Sequence, residues 1–289
     1  MKKVAIMTDT VAAIPKDMAQ KYSIEVVPFY IIMDGRSCIE TDIDKDQLYT
    51  RLKQKENLPT TSAPSPQDFL LAYQKLSKNA ESILHISMSS AWTNAYAAAI
   101  EGKEMAREKL PHTTIEVIDT KTVMCPELLI VLGAAKAAAQ GKNLEEVLQL
   151  VNDMIHRVNH LSTRDSLFYL DKGGRVFEAK SWAEAESKTI FRAIAAVDAS
   201  TGGIMKPVAR AKTKGQIMKK MVDIIKERVG DKKLHIAIGH SNVPEEAEQF
   251  KQMLLSQFQC DELHIVDAAA VIVLYNGRGL IDLGFYSSD

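Results

Sequence analysis

The sequence predicts an α/β fold made of two α/β domains, and three observations carry that reading. Across the first half, short apolar runs alternate with helical stretches, the pattern of a mostly parallel sheet with helices on both faces. Near residue 161 the rhythm changes. A glycine-rich turn and a charged stretch lead into a hairpin pattern, after which strands and helices resume in the order of a mixed sheet. At 289 residues the chain can bury two ordinary cores, so the expected domains are 1–160 and 161–289.

Val4 to Met7 reads as a buried strand closed by Thr8-Asp9-Thr10, and Pro15 suits the first turn of a helix reaching Tyr22. Ile24 to Met33 reads as one second strand, ended by the turn signal Asp34-Gly35. Asp44 to Lys55 has helical spacing, with Leu48 and Leu52 on one face. Three prolines between Pro59 and Pro66 forbid a helix or a central strand there. Ser65 as N-cap and Pro66 at the first helical position start the next helix. A strand from Ser82, a helix from Asn94 to Leu110 and a strand from Thr114 to Ile118 follow. Leu128 to Ala139 is helical and apolar nearly all round, hence buried on most sides, and Leu144 to Asn159 is an amphipathic helix. Beyond the boundary, Asp171 to Arg175 reads as a flexible turn and the stretch to about Lys188 as irregular. Ala193 to Asp198 and Ile204 to Arg210 form a hairpin. Lys214 to Val229 is a helix, Leu234 to Gly239 a strand, Pro244 to Gln257 a helix and Leu263 to Val266 a strand. Two apolar runs flank Asn276 to Gly279 at the end.

Composition excludes several functions. A formal net charge of −1 gives neither a nucleic acid nor an anionic membrane surface anything to attract. The apolar run after Lys3 is too short for a signal peptide, and the run Leu128 to Ala135 falls far below the roughly 20 residues of a membrane span. Cys38, Cys125 and Cys260 are widely spaced and odd in number, so neither a disulfide framework nor a metal site is indicated. A cytoplasmic protein with no nucleic-acid partner and no stable membrane insertion is expected.

The polar residues cluster at one junction. From Ser82 to Tyr96 an apolar strand gives way to a knot of hydroxyl and amide side chains and then to an alanine-rich helix. In open α/β sheets ligands bind at this edge, where first-turn N–H groups favour an anion, so the stretch is expected to hold a carboxylate. A serine nucleophile is disfavoured, because neither Gly-x-Ser-x-Gly nor Ser-x-x-Lys is present. His85 reads as a satisfied core histidine. His156 and His160, four apart, read as a solvated helix face rather than metal ligands. Read without further context, Gly173-Gly174-Arg175 is a turn with a surface arginine and not a phosphate loop.

Taken together, Thr8-Asp9-Thr10, Thr61-Ser62-Ala63-Pro64-Ser65, Ile86 to Ser90, Ile118-Asp119-Thr120, Leu170 to Arg175 and Lys206 to Arg210 resemble, in order and spacing, the DegV family of bacterial fatty-acid-binding proteins. The resemblance implies two α/β domains with a single fatty acid between them. It also implies a separate fatty acid kinase as partner, to which the acid is presented for acyl-phosphate formation and phospholipid synthesis. No catalytic residue, cofactor or metal of the chain's own is implied. Thr61 matches the family's carboxylate-binding threonine and Thr93 its second hydroxyl ligand, with Ser62 and Asn94 completing the expected carboxylate set. Arg175, Tyr275 and Arg278 form the expected head-group and phosphate region. The helix Leu128 to Ala139 serves equally as a tunnel wall or as plain core.

The chain departs from the family pattern in three places. Trp92 and Asn94 are bulkier than usual, Tyr275 stands where a histidine is customary, and Val123 to Glu127 is heavier, consistent with a shortened or reshaped tunnel. A phenol carries no positive charge, so Arg278 is expected to restore it. Two other functions stay open at this point. One is an enzyme acting on a small phosphorylated or carboxylated substrate through Asp9, Arg175 and His240. The other is a ligand-sensing or scaffold module whose lipid is structural.

Overall fold

Alternation along β1 (Lys2–Asp9) sets the first layer: Val4 and Ile6 turn to one core, Ala5 and Met7 to another, as the period of two requires. The computed structural model describes residues 1–186 and 191–288. After β1 come α1 (Lys16–Tyr22), β2 (Glu25–Val27), β3 (Tyr30–Met33), β4 (Arg36–Ile39), α2 (Lys45–Lys53) and β5 (Thr60–Ser62). Then follow α3 (Pro66–Ser77), β6 (Ala80–Ser87), α4 (Ala95–Ala106), β7 (Thr114–Asp119), α5 (Cys125–Ala139) and α6 (Leu144–Arg157). The second half holds β8 (Asn159–Thr163), α7 (Phe168–Lys172), α8 (Lys180–Glu186), β9 (Arg192–Ala196), β10 (Lys206–Ala211) and α9 (Lys214–Val229). It ends with β11 (Leu234–His240), α10 (Pro244–Leu255), β12 (Cys260–Asp267), α11 (Ala270–Asn276) and β13 (Ile281–Ser287).

Strands β2-β1-β6-β7 form a fully parallel four-stranded sheet, with α3 and α4 on one face and α5 and α6 on the other. The second sheet runs β10-β9-β8-β13-β11-β12 and is mixed, only β11 and β12 pairing in parallel. Helices α9 and α10 cover its outer face, where Ile217, Met221, Phe250 and Leu254 fill a separate core. Helix α5 fills the space between the two sheets, which explains its apolar circumference. Its one lysine, Lys136, reaches Glu262 of β12 at 2.6 Å.

Four expectations are corrected. Ile24 to Met33 is two strands in two sheets: Pro28 lacks an N–H for a ladder, and beyond it β3 pairs with β4 and β5 in a small antiparallel sheet. Asp171 to Arg175 is no free turn but the closed end of α7, with the Arg175 N–H donating to Leu170 O at 2.8 Å. The irregular stretch contains α8 up to Glu186, and its expected end near Lys188 lies outside the described residues. His160 is not on a helix. Helix α6 ends at Val158, whose backbone is extended, and His160 lies in β8, 1% exposed.

The first turn of α5 touches the second sheet backbone to backbone. A Cβ added at Gly284 would lie 2.5 Å from Cys125 C and Pro126 N, so β13 accepts no side chain there. Gly284→Ala is therefore expected to cost about 1–3 kcal/mol or more from overpacking, read as a lower urea midpoint.

Burial, helped by the nearby Glu40 charge, pushes Asp9 up to about 7, although Met88 and Val11 donate backbone N–H bonds to it. An acid whose folded pKa is raised stabilises the fold fully below its unfolded value, near 4, and loses that contribution as pH rises through 7. Asp9→Asn should therefore gain on the wild type by a few kcal/mol between pH 4 and pH 8, at about 1.4 kcal/mol per pKa unit. Urea unfolding at both pH values checks this, and a pH-independent difference would contradict it.

Candidate functional site

The expected junction lies at the carboxyl end of the parallel sheet, and its hydroxyls serve different purposes. Ser89 is wholly buried and donates to Gly203 O at 2.8 Å. Trp92 Nε1 donates to the same carbonyl at 2.9 Å, and its ring packs on Phe177 with centroids 5.0 Å apart. Gly203 has φ +79°, and a Cβ there would fall 2.5 Å from Ser89 Oγ. The bulky Trp92 thus joins the loop after β6 to the hairpin of the second sheet. Ser89 is part of the same clamp.

Beside this clamp lies a cavity of about 60 Å³ between the two sheets. Its apolar wall includes Met88, Val123, Met124, Val197, Met205 and Leu280. Val123 and Met124 precede α5, so it is the entry to that helix and not Leu128 to Ala139 that faces the cavity. Met124 holds φ +55° and ψ −117°, a conformation that costs roughly 1–3 kcal/mol for a non-glycine residue. A water-sized group needs about 10–15 Å³ of such space, so the cavity admits a handful of them, and a long chain requires the wall to give. Three methionines make it a compliant wall.

At the mouth, Thr61 Oγ1 lies 2.7 Å from Tyr275 OH. The Arg175 guanidinium sits over the Tyr275 ring, 5.0 Å from its centroid, and donates to Gly173 O. A Cβ at Gly173 would fall 2.4 Å from Tyr275 Cε1, which explains the glycine before Arg175 better than any need for a flexible turn. Thr93 Oγ1 accepts from Ala95 N at 3.3 Å at the start of α4. Thr61, Thr93, Arg175 and Tyr275 all line the cavity and also its outward openings. Ser62 and Asn94 are exposed and belong only to the outer rim. Arg278 is exposed and donates to Asn242 O at 3.1 Å, away from the cavity and its openings. Of the two expected arginines only Arg175 stands at the mouth, where Lys55 and Lys172 line one of the openings.

A second polar group lines the cavity that sequence reasoning missed. His160, Ser162 and Arg164 alternate along and just past β8, which puts them on one face, and Asp282 of β13 stands opposite Ser162 in the ladder. His160 Nδ1 accepts from Val197 N at 2.8 Å, so the proton is on Nε2, which donates to Asp282 at 2.7 Å. The other Asp282 oxygen accepts from Cys125 N at 3.2 Å, at the first turn of α5. Arg164 is 6% exposed. It donates to Ser162 Oγ at 2.5 Å, and its other terminal nitrogen lies 3.8 Å from Met205 Sδ. Burial pushes the guanidinium down to about 10, opposed by Asp282 and Glu186. The signal in the sequence was the polar run His160, Ser162, Thr163 and Arg164, broken only by Leu161.

The three residues of the enzymatic alternative are not brought together. Asp9 is 0% exposed and closes the turn at Val11, at 2.9 Å. His240 lies 3.7 Å from Asp267 and lines neither the cavity nor its openings. His85 shares a hydrogen bond with Tyr73 OH at 3.1 Å. Its second nitrogen has no partner among the described residues, and burial pushes the ring down to about 3, so it is a neutral core side chain. Among the described residues no group of three His, Cys, Asp or Glu side chains could hold a metal.

Known proteins resemble this chain in sequence and in fold. A DegV domain-containing protein of Clostridium perfringens is 30% identical over 283 residues, 98% of each chain. A fatty acid binding DegV family protein of Streptococcus agalactiae superposes with a TM-score of 0.84 at 25% identity, over 100% of both chains. A DegV family protein of Thermus thermophilus, described by its fatty acid binding, shares the fold with a TM-score of 0.89 at 20% identity, again over 100% of both. The family model described as "Uncharacterised protein, DegV family" matches residues 3–288, and the chain belongs to the DegV family.

Proposed function

We propose that this protein binds one fatty acid, its carboxylate at Thr61, Thr93, Tyr275 and Arg175 and its tail in the cavity between the sheets. One observation carries the reading: two hydroxyls, a phenol and a guanidinium converge at the mouth of a cavity whose wall is otherwise mainly apolar. Each buried methylene contributes about 0.8 kcal/mol, so a long tail supplies on the order of 10 kcal/mol before entropy losses. The head group then needs orientation more than strength. Solved relatives support the same reading, since those from Streptococcus agalactiae and Thermus thermophilus are described as fatty acid binding.

In this reading residues 1–160 and 161–289 supply the two halves of the site. The head group sits at the openings, within reach of a separate fatty acid kinase that would phosphorylate it; the protein itself needs no cofactor and performs no catalysis. Among the described residues no helix is long and apolar enough to cross a membrane, in keeping with action in the cytoplasm.

Solvent extraction of the purified protein followed by mass spectrometry should yield fatty acid at about one per chain. An empty protein that takes up none when it is added would refute the proposal. Thr61→Val and Thr93→Val should each weaken binding roughly tenfold or more, the effect of losing a hydrogen bond to a charged group. The rim and distant variants Ser62→Ala and Arg278→Ala should leave binding nearly unchanged.

A further inference from the structure

Arg164 is a buried cation whose Nε–H has no hydrogen-bond partner among the described residues. A buried guanidinium normally satisfies its donors, and here the two terminal nitrogens do find Ser162 Oγ and Met205 Sδ. The unsatisfied donor belongs to a side chain that lines the same cavity as the mouth group. Asp282, on the same wall, is committed to His160 and to Cys125 N. Its negative charge already offsets that of Arg164, although no ion pair forms between the two. A second full carboxylate would meet repulsion there, whereas a neutral oxygen would satisfy the free N–H at no electrostatic cost. A plain hydrocarbon tail would leave that donor unmade in a dry site.

We propose that the cavity is built for an oxygenated acyl chain, a hydroxy or oxo fatty acid whose chain oxygen accepts from Arg164 Nε beside Ser162. This rests on the fatty-acid reading of the mouth and names the substrate class within it. The carboxylate stays at Thr61 and Thr93, and the chain oxygen provides the second point of recognition that a saturated acid lacks.

The test is competition binding on the full-length chain, with stearic acid against its hydroxy and oxo derivatives substituted at several positions along the chain. At least one derivative should bind roughly tenfold tighter than stearic acid or better, the worth of a hydrogen bond from a charged donor. Arg164→Leu should abolish that preference while still binding stearic acid. If stearic acid binds as tightly as every derivative, the inference is overturned and fatty-acid binding stands. If the chain takes up neither stearic acid nor any derivative, both fall. The wild-type comparison decides the matter even if Arg164→Leu does not fold.

Discussion

Helix α5 lies between two sheets, so the free N–H groups of its first turn must be satisfied from inside the protein. Asp282 meets that need by accepting from Cys125 N while its other oxygen takes the His160 proton. A carboxylate at a helix N-terminus is favoured by the helix dipole, and this one also ties β13 to β8. The helix can approach only because Gly284 leaves room for Cys125 and Pro126. That approach sets Val123 and Met124 in the cavity wall, where Met124 holds its strained conformation. The site between the sheets is therefore a consequence of how one buried helix begins.

The same constraint separates two kinds of polar group. Mouth residues are half-buried and touch the openings, where a head group can meet solvent or another protein. The group around Asp282 and Arg164 is buried and cannot. Ser89 holds the loop after β6 to the second sheet. Trp92 does the same work through Gly203, so its bulk is accommodated by the interface between the sheets.

Much of this was legible in the residues. Ser65 and Pro66 start α3 as their chemistry requires, with Asp68 completing the cap, and α9 has the expected limits. Thr61, Thr93, Arg175 and Tyr275 come together from four distant segments. That convergence came from family resemblance, because local pattern says nothing about which loops meet. An apolar run such as Ile24 to Met33 does not reveal which sheet each part joins. His160 was misread because the i, i+4 spacing from His156 suits a helix that in fact ends before it. Arg278 was drawn to the site by charge alone, and the backbone after Gly277 carries it elsewhere.

The most direct measurement is a crystal structure of the chain with a bound long-chain fatty acid. The account predicts carboxylate oxygens within hydrogen-bonding distance of Thr61 Oγ1 and Thr93 Oγ1, with the tail running past Met88 and Met124. A carboxylate seated instead on Arg164, or an acid bound outside the space between the sheets, would contradict it.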